Sequence, residues 1–209
     1  TRNPCVICNR FVKFEGLLLK ADELGIKYIS TGHYASVEKK DGKYLLRKGI
    51  DDKKDQSYFL YNLTQKQLSR SIFPLGQYTK KQVRDIAQKA KLPVSHKNES
   101  QEICFIKDNN YKKFINEHKT KNMPKGEFVD SNGNILGYHS GITNYTVGQR
   151  RKLGISTGKP MYVLDIDKEN NRILLGSNKE LFSTHLIAKD LNWIMIDKLE
   201  KEMEVQAKV

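Results

Sequence analysis

A chain of 209 residues is long enough for one sizeable core or two small ones, and its 37 Lys and Arg against 24 Asp and Glu leave a net charge of +13. That excess draws polyanions towards the molecule and makes nucleic acid the first partner to consider, although a solvated, lysine-rich surface accounts equally well for the charge alone. No run reaches the ~18 apolar residues of a membrane span, no secretory signal opens the chain, and three cysteines make no disulfide framework, so a soluble cytoplasmic protein without a membrane role is expected.

The opening "NPCVICN", residues 3 to 9, reads as a loop because Asn3, Pro4 and Asn9 are loop formers. Phe14, Leu17, Leu18, Ala21 and Leu24 recur at helical spacing, and Gly25 stands where a left-handed cap is wanted, predicting a helix over 14 to 24. "IKYIST" predicts a buried strand that runs into "GHYA", a loop at the carboxyl end of a strand, where α/β sheets carry their sites. "SVEKKDGKYLLR" predicts two strands around the turn pair Asp41-Gly42. Tyr58, Phe59 and Tyr61 read as core residues. Thr64 with Gln67 and Thr79 with Gln82 each match a capping box, the second opening a helix with a buried face of Val83, Ile86, Ala87 and Ala90 that ends at Leu92-Pro93. "EICFI", carrying Cys104, predicts a short apolar strand.

After residue 107 the texture changes. A short amphipathic helix (Tyr111, Phe114, Ile115) and a lysine-rich linker lead to "GEFVDSNGNILG", a hairpin turning at Asn132-Gly133. "MYVLDIDKENNRILLG" predicts a second hairpin with Asp167 to Asn171 as its loop. The chain opens at Thr1 directly on a motif and stops in "EVQAKV", which reads as a strand under way, so a fragment is expected.

The cysteines admit three readings. Cys5 and Cys8 form half of a zinc ribbon whose second half is missing, leaving Cys104 and scattered histidines as further ligands. A dithiol site would place C-x-x-C at a helix N-terminus, but the helix is predicted to begin some six residues later. The third reading has Cys8 and Cys104 meeting across a cleft, one carrying a reactive sulfur and the other resolving it.

"NPCVICNRFVKF", "STGHYA", "DKKDQSYFLYNL", "FPLGQYTKKQVRDIA", "ESQEICFI" and "NYTVGQRRKLGI" closely resemble, in order and separation, the tRNA-specific 2-thiouridylase family, enzymes that replace the 2-oxygen of a wobble uridine with sulfur. The resemblance implies an α/β fold: the latter part of an ATP-pyrophosphatase-type, adenine nucleotide hydrolase-like domain over 1–107, a small β-rich central tRNA-binding domain over 108–177, and the start of a C-terminal β-barrel over 178–209. It implies ATP as substrate, with Mg2+, a persulfide sulfur from a donor protein (a sulfur carrier or cysteine desulfurase), and the anticodon loop of tRNA as partner. The family's phosphate-gripping serine-glycine-glycine-x-aspartate-serine loop does not occur in this sequence, so the chain alone is expected to be inactive.

Carried over residue by residue, the resemblance makes Cys104 the carrier of the persulfide and Cys8 its partner nucleophile. Gly32 would let the nucleotide approach the backbone. Asn3, Pro4 and Cys5 would touch the flipped target base, and His33, Lys54, Asp55 and Gln56 would contact tRNA. Cys5 departs from a form of the motif that has aspartate there, and Lys152 departs where glycine is expected. Arg150, Arg151 and Lys152 suit phosphate contact, or form a solvated turn. Without the resemblance, His33 reads as a strand cap and Lys54-Asp55-Gln56 as a capped helix start. A non-catalytic, zinc-containing RNA-binding module and a dithiol oxidoreductase are the alternatives.

Overall fold

A computed structural model describes residues 3–96, 103–106, 113–114, 117–118 and 124–207. The chain divides into two compact units, Thr1–Ser100 with Lys189–Val209, and Gln101–Ala188.

In the first unit, one uninterrupted helix, α1, comprises Pro4–Ile7, Cys8–Glu15 in π register, and Gly16–Glu23. It therefore begins ten residues before the predicted start, and the cysteines lie in it rather than in a loop. The helix start has its own signal: Asn3 is the N-cap, its side chain accepting the Cys5 N–H at 2.9 Å, and Pro4 occupies the first turn, where its missing donor costs nothing. The buried positions of α1 are Val6, Asn9, Phe14, Leu18 and Ala21, while Leu17 and Leu24 are exposed. The step from Asn9 to Phe14 follows the π repeat and hides the 3.6-residue periodicity upstream. Gly25, at φ 67, ends the helix as expected, and the Ile26 N–H returns to the Ala21 carbonyl at 2.7 Å.

Strand β1 (Ile29–Ser30) is shorter than predicted and pairs in parallel with β4 (Ser71–Ile72). Between them lies the expected hairpin of β2 (Ala35–Lys40) and β3 (Lys43–Lys48), turning through Asp41 at φ 49 and Gly42 at φ 77. Both capping boxes form, at Thr64 for α2 (Gln65–Ser69) and at Thr79 for α3 (Lys80–Lys89). Phe14, Leu18, Leu60, Leu63, Leu68 and Phe73 build the core. The apolar face of α3 is not part of it: no residue of α3 is buried and Ile86 is 51% exposed. The amphipathic pattern specifies the helix but not a neighbour. An extended stretch after Lys189 returns to this unit, where the Asn192 amide donates to the Tyr61 and Leu63 carbonyls at 2.8 and 3.0 Å.

The second unit holds a four-stranded sheet in the order β6-β5-β8-β7, from β5 (Gly126–Val129), β6 (Ile135–His139), β7 (Tyr162–Asp167) and β8 (Arg172–Gly176). Both predicted hairpins form, and the parallel pairing of β5 with β8 joins them. Asp130 caps its turn by accepting the Asn134 side-chain amide and the backbone N–H groups of Asn134 and Asn132, which lowers its carboxyl pKa. Phe128, Val163, Ile173 and Leu175 form the core. "EICFI" is not a strand over its described residues 103–106, which form a turn closed by the Ile106 N–H to the Ile103 carbonyl. Tyr111 and Ile115 of the predicted helix lie outside the described residues. From 178 to 207 a 3-10 turn at Asn178–Leu181 is the sole element, so the expected barrel strand is not formed over residues 204–207. No helix among the described residues is long and apolar enough to cross a membrane.

Candidate active site

The first unit gathers most of the expected site residues around α1. Cys5 and Cys8 are partly buried and not bridged by a disulfide, one helical turn apart. Three side-chain contacts tie the π segment beyond Cys8 to residues 57–67. The Asn9 amide donates to the Phe59 carbonyl at 3.4 Å, the Arg10 guanidinium to Asn62 at 2.8 Å, and the Gln67 amide to the Arg10 carbonyl at 3.0 Å. Gln67 is buried and simultaneously closes its capping box with Thr64, so one side chain couples α2 to the thiol-bearing helix. Asn9 is 4% exposed, and its Oδ1 has no hydrogen-bond partner among the described residues.

Phe14 extends from the same helix to the loop after β1. Its ring lies 5.8 Å from that of His33, which also meets Phe73 edge-on at 6.1 Å. His33 Nδ1 is 2.9 Å from the Thr31 hydroxyl. Burial, reinforced by the nearby Lys13 charge, lowers the His33 pKa to about 4, so the ring is neutral at pH 7. It can hydrogen-bond or stack, but it supplies no charge to a phosphate. Gly32 beside it is exposed, and a Cβ built there would meet only Leu75, at 3.6 Å. The protein itself therefore makes no steric demand for glycine. Gly76 behaves differently: its Cβ would collide with the Ala35 carbonyl, fixing the 3-10 turn Pro74–Gln77 against β2.

The side chains of Asp55 and Gln56 are engaged within the protein. Asp55 accepts the Gly49 N–H at 3.1 Å, the Ser57 N–H at 3.2 Å and the Ser57 hydroxyl at 2.7 Å. Asp55 thus closes an Asx-type turn onto Ser57 rather than capping a helix as residue type alone suggests, since the N-cap of the 3-10 turn Ser57–Phe59 is Gln56, without a side-chain cap. Gln56 Oε1 accepts the Tyr34 N–H at 3.0 Å while the Gln56 N–H donates to the Tyr34 carbonyl at 2.9 Å, a two-point clamp on the residue after His33. Lys54 is partly buried. Tyr58 and Tyr61, expected in the core, are 42% and 49% exposed with rings 6.3 Å apart. They offer aromatic faces that sequence reasoning misses, since ring size alone does not tell an inward from an outward position.

Cys104 belongs to the second unit and is exposed. There too Lys152 adopts φ 60, which explains why glycine is the expected residue and places the departure in a strained conformation. No group of three or more His, Cys, Asp and Glu side chains converges as a metal site among the described residues.

Comparison with known proteins locates the chain. Residues 1–108 match the family model described as "tRNA methyl transferase HUP domain", and residues 112–177 match that of the "tRNA methyl transferase PRC-barrel domain". Over its whole length the chain is 56% identical to tRNA-specific 2-thiouridylase MnmA 1 of Caldanaerobacter subterraneus subsp. tengcongensis. It is 52% identical to tRNA-specific 2-thiouridylase MnmA of Clostridioides difficile and 56% identical to that of Acetivibrio thermocellus. It spans 58%, 58% and 59% of the lengths of these three relatives. An α/β nucleotide-type domain followed by a small β-rich domain agrees with both matches, and with them the chain belongs to the tRNA-specific 2-thiouridylase family.

Proposed function

We propose that this chain contributes the thiol chemistry and RNA recognition of an ATP-dependent tRNA 2-thiouridylase acting on C2 of a wobble uridine. The observation that carries this reading is the contact between Phe14 and His33, which packs the helix of Cys8 against the Gly32–His33 loop within one unit. A thiol for sulfur transfer and an open glycine for a nucleotide thus lie on elements that brace one another.

A uridine 2-oxygen is a poor leaving group, and its adenylation by ATP, the co-substrate, turns it into one. Mg2+ would accompany the ATP phosphates; no residue of this chain is assigned to hold it. The terminal sulfur of a Cys104 persulfide, received from a sulfur-carrier or desulfurase protein, then bonds to C2 as AMP departs with the old oxygen. The Cys8 thiolate attacks Cys104 Sγ, breaking its bond to the transferred sulfur. Thiouridine is released, a Cys8–Cys104 disulfide remains, and an external dithiol restores both cysteines. Asn3 and Pro4 set the start of the helix at which Cys5 would border the extruded base. Gln56 would serve tRNA by shaping the loop of His33, Asp55 by tying Gly49 to Ser57 beside it, and Lys54 by direct contact. The activity would reside in the cytoplasm, where tRNA and reductants are found.

The test is a chimaera in which this chain replaces the matching part of the Acetivibrio thermocellus relative, assayed with ATP, tRNA and a persulfide donor. Product nucleosides should gain the mass of a sulfur-for-oxygen exchange, and Cys8→Ser and Cys104→Ser should each abolish it. The 209-residue chain alone, without the phosphate-gripping loop, should give none. Thiolation that survives Cys8→Ser would sink the mechanism, and a methyl mass shift would favour the group transfer named in the family models.

A further inference from the structure

Gln67 uses both ends of one buried carboxamide. Its Oε1 accepts the Thr64 N–H at 2.9 Å and the Thr64 hydroxyl at 3.2 Å, closing the cap of α2, while its Nε2 donates to the Arg10 carbonyl at 3.0 Å. Its own carbonyl accepts the hydroxyl of buried Ser71 at 2.6 Å, so the residue also ties α2 to β4. Turning the carboxamide over would set its oxygen against the Arg10 carbonyl and its nitrogen against the Thr64 N–H, so the orientation is fixed. The cap alone does not call for glutamine, because a capping box takes glutamate as readily. At Thr79 the exposed Gln82 closes the same box through Oε1, and among the described residues its Nε2 makes no hydrogen bond. What glutamine adds at position 67 is a donor, and it reaches the main chain two residues past Cys8. Asn9 and Arg10 are restrained there by their side chains, on Phe59 and Asn62, whereas Gln67 restrains the backbone itself. An outside donor on a helix carbonyl competes with the bond inside the helix and favours the wider π turn found over Cys8–Glu15.

We propose that Gln67 is a positioning residue for the Cys8 thiol, fixing the direction in which it points through the bond from Nε2 to the Arg10 carbonyl; the proposal rests on the reading that Cys8 takes part in sulfur transfer. Attack on a sulfur–sulfur bond depends on the line of approach of the thiolate, so the orientation of the helix that carries it governs the rate. Gln67 itself is buried and acts only through that helix.

The test compares three variants. Gln67→Glu keeps the acceptor for the cap and, ionised at about pH 8, has no donor for Arg10. Gln82→Glu makes the same change in the exposed box, and Thr64→Ala weakens the cap of α2 while leaving the donor in place. Urea titrations rank all three by stability. On the chain itself, iodoacetamide labelling is followed by peptide mass at Cys8, with Cys104, exposed in the other unit, as the reference thiol. Losing a buried hydrogen bond shifts the population that holds its geometry, so the ratio of Cys8 to Cys104 labelling rates should change by at least about five-fold in Gln67→Glu. It should stay within about two-fold in Gln82→Glu and Thr64→Ala. In the chimaera, Gln67→Glu should lower kcat for thiolation by a similar factor with KM for tRNA unchanged, and Thr64→Ala should leave kcat in place. An unchanged ratio in Gln67→Glu overturns the assignment. So does an equal change in Thr64→Ala, which would make the effect one of stability alone. If the ratio responds while the Cys8→Ser chimaera still thiolates tRNA, the positioning stands and the functional reading falls; if Cys8 is essential and its ratio is indifferent to Gln67→Glu, the positioning falls and that reading stands.

Discussion

Replacing Gln56 with leucine tests whether the loop of His33 is held in place by the segment that the family resemblance assigns to RNA contact. Tyr34 is 6% exposed, and its N–H has the Gln56 side chain as acceptor at 3.0 Å. Leucine fills similar volume but accepts nothing, leaving a buried donor unsatisfied at a cost of about 1 to 3 kcal/mol. Borne by local opening of the loop, that cost corresponds to roughly 5- to 150-fold faster exchange of the Tyr34 amide hydrogen. Native-state hydrogen exchange reads this directly, and a denaturant titration shows whether the destabilisation is local or global. Gln56→Glu keeps an acceptor oxygen and should keep most of the protection. If Tyr34 exchanges equally slowly in the leucine variant, the clamp is not what holds the loop, and Gln56 is released to act as an RNA ligand.

His33 should make stability depend on acid. Its pKa is near 4 in the fold and about 6.5 unfolded, so between these values the unfolded chain binds more protons and stability falls as pH drops from about 6.5 towards 4. The shift sets a ceiling of about 3 kcal/mol, or about 1 to 2 kcal/mol after allowing for the ring's partial exposure; urea titrations should show a flatter pH profile in His33→Gln. Gly32→Ala should leave stability within about 0.5 kcal/mol, because the new methyl meets only Leu75 at 3.6 Å, yet raise the KM for ATP in the chimaera. Gly76→Ala should do the reverse, costing several kcal/mol in thermal unfolding through its collision with the Ala35 carbonyl. After a single turnover of the chimaera, non-reducing peptide mapping should find Cys8 linked to Cys104 and Cys5 free; a Cys5–Cys8 linkage would make the opening motif itself the redox pair.

Local chemistry is the most legible part of the sequence. Asp41-Gly42, Asn132-Gly133 and the two Thr-x-x-Gln boxes specify their turns and caps through contacts spanning only a few residues, and all four form. Expectation and structure part where a residue's meaning depends on distant neighbours. Asn3-Pro4 suits a loop or a helix start equally, and the deciding upstream periodicity is masked by the π register. Ile86 and Phe105 have the right polarity for burial yet are exposed, because polarity carries no information about what packs on it. Of the candidate site, the residues are named by the resemblance alone. The clamp by Gln56 and the burial of His33 are not legible, because both arise from long-range packing that leaves no local pattern.

The π register of Cys8–Glu15 has a mechanical consequence. Such a segment holds slack of about one residue relative to an α-helix, and tightening it would turn everything upstream by about 100° around the axis with a shift of about 1.5 Å along it. The anchors at Asn9, Arg10 and Gln67 act as a latch on that rotation. Releasing the latch would swing Cys5 and Cys8 to another azimuth while Phe14 stayed seated on His33, so a thiol could be re-aimed by winding its helix, without moving the Gly32–His33 loop.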